Sequence, residues 1–256
     1  MKPLHLVGLT GLLAASPAWA EDAAARGLEI AQKLDAANEG FESDVSSVEM
    51  TLINAHGDQV ERKMTIEIIE GEKDGDKSVV AFSFPADVDG TKLLTWTHKS
   101  DNDDQWLYMP AIKRIKRISS RSKSGSFMGS EFSYEDMSSQ EVEKYTYKFL
   151  GEDTLEGRTV WKLERVPVGD SGYSRQVGFY DKEYMNPLRI EYFDKKDELL
   201  KVGTFTGYKK FGEMWRVGTI EMSNEQTRKR SVLVWKTRTL GEDLDPEDFE
   251  SDALED

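Results

Sequence analysis

A mainly β, antiparallel fold is what the sequence predicts, and three observations predict it. Apolar and polar residues alternate with a period of two through most of the chain. The alternating runs are short and end at Pro, Gly or Asp-rich turns, and only one stretch has helical spacing. Roughly a dozen such strands with hardly any helix favour an antiparallel meander over a parallel α/β fold, and a sheet of that many strands must curl, close or double over to protect its edges.

The chain opens with Lys2, an apolar stretch from Leu4 to Ala15, and Ala18-Trp19-Ala20 ahead of Glu21-Asp22. This is the layout of a secretory signal peptide cleaved after Ala20, with an apolar region too short to span a bilayer; a buried core helix is the alternative. Residues 1–20 are therefore expected to be removed, and residues 21–256 to form a single domain in a periplasmic or secreted protein that is soluble and carries no lipid anchor. The sequence contains no Cys, so it has no disulfide framework, thiolate metal site or thiol nucleophile. Ala23 to Asn38 places Leu28, Ala31 and Leu34 at helical spacing, and Gly40 follows as a C-cap.

From there the period changes. Val48, Met50 and Leu52 alternate with polar residues, Asn54 to Asp58 turns, and Val60, Met64, Ile66 and Ile68 alternate again, which makes a hairpin with one wet and one dry face. Further strands are expected at Val79–Phe84, Thr91–Thr97, Gln105–Met109, Tyr145–Leu150, Thr159–Val166, Gln176–Tyr180, Leu188–Phe193, Leu199–Tyr208, Met214–Met222 and Val232–Leu240. The tail from Gly241 to Asp256 is acidic, with Leu244, Phe249 and Leu254 as anchors and Asp245-Pro246 as the start of a helical turn; a solvated tail with one docked turn is the expectation.

One stretch resists this pattern. Trp106 to Met137 begins with a strand-like aromatic run and continues with Lys113, Arg114, Lys116, Arg117, Arg121 and Lys123. It then enters a Gly/Ser-rich loop that carries Phe127, Met128, Phe132, Tyr134 and Met137. Apolar side chains in a long loop must be buried against the protein's own core, a ligand or a partner. Ser133 and Asp136 have the spacing of a capping box that starts a short helix.

Catalysis finds little support. After export only His56 and His98 remain as imidazoles, and no metal-ligand spacing is present. Asp101-Asn102-Asp103-Asp104 lacks the glycine and distal Glu of a calcium loop and reads as an acidic turn. Gly169-Asp170-Ser171-Gly172 copies the letters around a serine-protease nucleophile without its context and reads as a turn between strands. No catalytic residue, metal or cofactor is assigned. The net charge of -14 argues against a nucleic-acid partner. The strand tryptophans Trp96, Trp106, Trp161, Trp215 and Trp235 read as packed core residue by residue. As a set, on a curved sheet with little helix to cover it, they are compatible with an unfilled interior that suits a long apolar ligand.

The residues Leu107-Tyr108-Met109-Pro110-Ala111, Arg114, Arg117-Ile118 and Phe127-Met128-Gly129-Ser130-Glu131-Phe132-Ser133-Tyr134-Glu135-Asp136 resemble the signature of the LolA-like outer-membrane lipoprotein-sorting family. Asn186 to Asp194 and Leu244 to Leu254 resemble its late hairpin and closing segment. The resemblance implies an unclosed antiparallel β-barrel, a half-barrel with an N-terminal helix and short helices over an apolar cavity. It also implies periplasmic, non-enzymatic carriage of lipid or lipoprotein acyl chains between membranes, in some members beside an inner-membrane efflux-type transporter. On that footing Trp96, Trp106, Tyr108, Phe127, Met128, Phe132 and Tyr134 are expected to line the cavity or form its lid. Arg114 and Arg117 are expected to meet a headgroup, a partner or a membrane surface transiently; cross-strand pairing with acidic neighbours is the alternative for both. A transporter adaptor without lipid cargo and a carboxylate-dependent secreted hydrolase stay open as other functions.

Overall fold

The computed structural model describes residues 17–71 and 73–255. Most of the expected export signal, residues 1–16, lies outside the described residues. Helix α1 runs Pro17–Ala36, so it covers the expected cleavage point after Ala20. It stops two residues short of the expected end, where the Asn38 side-chain amide donates to the Leu34 carbonyl at 2.9 Å and so caps the last turn. Its buried face is Gly27, Ile30, Ala31 and Leu34, whereas Leu28, expected on that face, is exposed. The rotation has a steric reason. A Cβ at Gly27 would lie 2.9 Å from the backbone nitrogens of Lys148 and Phe149, so only glycine lets the helix rest on that strand.

The first half of the chain is a meander: β1 (Ser43–Ile53), β2 (Gln59–Ile69), β3 (Lys77–Phe84), β4 (Lys92–Trp96), β5 (Asp104–Met109) and β6 (Arg114–Ile118). The second half is another: β7 (Tyr145–Leu155), β8 (Arg158–Pro167), β9 (Arg175–Asp181), β10 (Asn186–Phe193), β11 (Leu199–Thr206), β14 (Thr219–Asn224) and β15 (Arg230–Leu240). A small ribbon, β12 (Lys209–Phe211) with β13 (Met214–Arg216), is inserted after β11. The expected strand Met214–Met222 is thus two strands. It breaks at Gly218, where a Cβ would sit 2.4 Å from the Gly207 carbonyl oxygen as the ribbon crosses itself.

The two meanders join into one unclosed 13-stranded sheet, ordered β6-β5-β4-β3-β2-β1-β15-β14-β11-β10-β9-β8-β7, with antiparallel pairing throughout. Strand β15 joins the halves, pairing β1 from Asp44↔Leu240 to Ile53↔Arg230 and β14 from Thr219↔Val234 to Ser223↔Arg230. The sheet therefore ends at β6 and β7, which follow one another in the chain but lie at its opposite edges. Residues 119–144 must strap across the concave face to connect them. The basic residues of β6 leave that edge charged, which discourages pairing with another strand.

This topology explains the apolar loop. Phe127 is 0 % and Phe132 4 % exposed, packed with Val48, Met50, Met64, Val80, Phe82, Leu93 and Leu107 on the concave side of the first meander. The loop folds on itself, with Phe127 N–H donating to Phe132 O at 2.7 Å. The Ser133–Asp136 capping pair forms at the head of a 3-10 turn, Tyr134–Met137, where Asp136 accepts from Ser133 N–H at 2.7 Å. The protein's own core takes these side chains. On the convex side the acidic tail docks through Phe249 and Leu254, both buried, onto Leu94, Trp96, Trp106 and Tyr108. The expected turn there is Pro246–Phe249, capped by Asp245, which accepts from Glu247 N–H at 3.0 Å.

Candidate functional site

With the strap filling one half of the concave face, the other half holds a cavity of about 510 Å³ under the end of α1, a size usual for small-molecule sites. Leu34 of α1, Leu163 of β8, Ile190 of β10 and Phe205 of β11 give it apolar wall. The lining is nevertheless not the wholly apolar one expected. Asp35, Asp76 and Glu141 face it, as do Arg165, Arg216 and Arg238. A strand's inward row continues through every second residue whether that residue is apolar or charged, and in β8 it runs Trp161, Leu163, Arg165.

The charges sit differently. Arg238 is paired, its Nε 2.9 Å from Asp44 Oδ2, and it donates to the Val217 carbonyl at 2.9 Å. Arg216 donates to Asn38 Oδ1 at 2.7 Å and to the Asn38 carbonyl at 3.1 Å, tying the helix end to β13. Burial pushes both guanidinium groups below their usual range. Asp35 and Asp76 are pushed up, first by burial. Glu141 is pushed up to about 7, by burial first and then by Asp76 and Asp35. Among the described residues no set of three His, Asp or Glu is arranged to hold a metal ion.

A polar row crosses the floor of the concave face through the register Tyr147↔Arg165, Arg165↔Gln176, Gln176↔Tyr192 and Tyr192↔Lys201. Both of its cations are buried. The strap supplies Asp136 to Lys201, with Nζ 2.6 Å from Oδ2, and Tyr173 Oη donates to the other Asp136 oxygen at 2.8 Å. To Arg165 it supplies only Gln140, whose Oε1 accepts from the guanidinium at 3.3 Å.

None of the nine residues nominated from the sequence lines this cavity. Trp96, Trp106 and Tyr108 lie on the convex face beneath the tail: Trp96 Nε1 donates to the Phe249 carbonyl at 2.7 Å, and the Trp96 and Trp106 rings meet edge to face at 5.0 Å. Their phase is opposite to Leu107, which points into the core. Phe127, Met128, Phe132 and Tyr134 form the strap's plug in the other half of the concave face. There Phe127 stands 5.7 Å from the rings of Phe82 and Tyr134, and Arg62 donates to the Met128 carbonyl. Arg114 is exposed on β6. Arg117 is exposed too and pairs across the strands with Asp104. Asp103 of the acidic turn pairs with Lys144. Ser171 of the Gly-Asp-Ser-Gly turn donates to Glu135 at 2.8 Å. The sequence did carry a sign of Arg165, which occupies an in-phase apolar position of a predicted strand.

A family model described only as uncharacterized-protein-like matches residues 74–256. A crystal structure from Vibrio parahaemolyticus, named for an outer membrane lipoprotein-sorting protein domain, is 44 % identical, with 91 % of this chain and 100 % of that one covered and a TM-score of 0.89. A DUF1329 family protein from Desulfovibrio piger is 32 % identical over 91 % of this chain and 99 % of its own, with a TM-score of 0.87. A LolA superfamily protein from Nitrosomonas europaea, 18 % identical over 89 % and 98 %, shares the fold with a TM-score of 0.72. No curated protein matches in sequence.

Proposed function

The chain belongs to the LolA-like outer-membrane lipoprotein-sorting family, and from that premise we propose that it is a periplasmic, non-enzymatic carrier that takes acyl chains of a lipid or lipoprotein into its half-barrel and moves them between membranes. The observation that carries the reading is the cavity of about 510 Å³ on the concave face, walled by Leu34, Leu163, Ile190 and Phe205 and left unfilled by the strap. An acyl chain loses roughly 0.8 kcal/mol of favourable burial for each methylene exposed to water, so a carrier between membranes must offer a dry surface of comparable reach. The layout of residues 1–20 supports export with a mature start at Glu21, residues 21–256 then acting as one domain. No helix among the described residues is long and apolar enough to cross a membrane. The exposed cations of β6, Arg114 among them, suit a passing contact with anionic headgroups or with an inner-membrane transporter. The plug of Phe127, Met128, Phe132 and Tyr134 serves in this reading as a fixed filling of the other half of the concave face, and Trp96, Trp106 and Tyr108 as the tail's docking surface.

One observation favours a second reading, a transporter adaptor without cargo: half of the concave face is filled by the chain's own side chains. The test is mass spectrometry of organic extracts from gently purified protein, with uptake of a fluorescent fatty-acid probe. The carrier reading expects a bound acyl lipid and saturable uptake. Repeated absence of both overturns it in favour of the adaptor.

A further inference from the structure

We propose that Arg165, with the tyrosines around it, forms a subsite for an anionic group, a phosphate or carboxylate borne by the ligand of this cavity. The inference rests on the carrier reading for its source of ligand and not for its chemistry. Arg165 is 8 % exposed and lines the cavity from the inner face of β8. Its Nε donates to Gln176 Oε1 at 2.7 Å, another of its nitrogens donates to Gln140 Oε1 at 3.3 Å, and its guanidinium lies 4.6 Å from the Tyr145 ring centroid. Every one of these partners is neutral. A buried cation held only by neutral groups lacks a direct counter-ion in a poorly solvated space, and an incoming anion would supply one.

Asp35, Asp76 and Glu141 face the same cavity, but among the described residues no carboxylate forms an ion pair with Arg165. Asp136 is held by Lys201 and Tyr173, and Glu135 accepts from Ser171 Oγ and Gly172 N–H, both at 2.8 Å. Lys201 in the same cross-strand row shows what the alternative looks like: there the strap brings its own carboxylate, while at Arg165 it brings an amide. Arginine suits the task because its planar fork matches phosphate and carboxylate oxygens two at a time. Tyr147, Tyr180 and Tyr192 also line the cavity, and among the described residues their hydroxyls have no hydrogen-bond partner, so they are available as donors to the same anion. The backbone keeps room for this arrangement. A Cβ at Gly178 would come within 2.3 Å of the Tyr180 ring, so the glycine lets that ring lie flat along the strand toward the row of Arg165.

The test titrates the full chain with decyl phosphate, decanol and inorganic phosphate by calorimetry, and follows the Arg165 Nε–H resonance in the wild-type protein. The expected result is that decyl phosphate binds roughly tenfold or more tightly than decanol and shifts the Arg165 resonance, which decanol does not. Arg165→Gln abolishes that preference, and Arg165→Lys retains part of it. If Arg165→Gln fails to fold, the wild-type resonance decides alone. Equal binding of the two amphiphiles, or an unmoved Arg165 resonance with decyl phosphate bound, overturns the subsite and leaves the carrier reading standing. Binding of inorganic phosphate at Arg165 with no amphiphile bound supports the subsite and overturns the carrier reading. No binding of any of the three overturns both.

Discussion

Glu141 shows how a single side chain ties the cavity to pH. Burial, followed by the nearby Asp76 and Asp35, holds its carboxyl at about 7 against an ordinary value of 4.5. The fold thus prefers the protonated form. The associated stability is fully present below about 4.5 and is lost as pH rises through about 7. Glu141→Gln, which cannot ionise, is expected to match the wild type at acid pH and exceed it by about 1–2 kcal/mol in mildly alkaline buffer, once solvent screening at the mouth is allowed for. Urea midpoints of both proteins across that range check this; a variant no more stable on the alkaline side contradicts it. Arg165 and Lys201 make a complementary point. Both are charges on the inward face of a strand, β8 and β11, and the difference between them, one carboxylate at Lys201 and none at Arg165, could not be read from the sequence because both partners come from the strap.

At the scale of elements, the period of two located the strands and the turn residues bounded them, with the largest departures where glycines let two segments approach closely. What the period could not say was which side of each strand faced the cavity. Strands β4 and β5 are covered on both faces, by the strap's plug on one and the tail on the other, so both phases carry apolar residues. That is why Trp96, Trp106 and Tyr108, expected inside the chamber, lie beneath the tail. The tail is held by few anchors, and Phe249→Ala removes the central one. The expected outcome is a loss of about 1–3 kcal/mol, less than for a Phe enclosed by the main core because the tail can undock locally. Amide protection should fall in residues 244–255 and tryptophan emission should shift to the red as Trp96 and Trp106 meet water. Unchanged exchange in that segment argues against the docking.

For the whole molecule the decisive element is β15, the last strand, which zips the first meander to the second. Val234 faces Glu49 on β1 and Thr219 on β14, so its N–H belongs to a ladder with a strand on either side. Val234→Pro removes that donor in the middle of the sheet, at an expected cost of about 3 kcal/mol or more. At roughly 2–4 °C per kcal/mol for a chain of this size, the melting temperature should fall by about 6–12 °C. Calorimetry should show a single transition in the wild type and this drop in the variant. An unaltered melting temperature removes β15 from its joining role.

Taken alone, the sequence determined the strand-rich antiparallel class, the N-terminal helix, the capped turn in the tail and the need to bury the loop aromatics, because each of these follows from local periodicity, turn chemistry or the cost of exposed apolar surface. The family resemblance was equally local, carried by a contiguous run of residues. Tertiary structure alone decided that β6 and β7 stand at opposite edges, that the strap between them fills half the chamber with its own Phe127 and Phe132, and that Arg165 in the remaining half has an amide from the strap and not a carboxylate. Those outcomes depend on which distant strands pair, and a periodic pattern records the direction a side chain points without recording what it meets there.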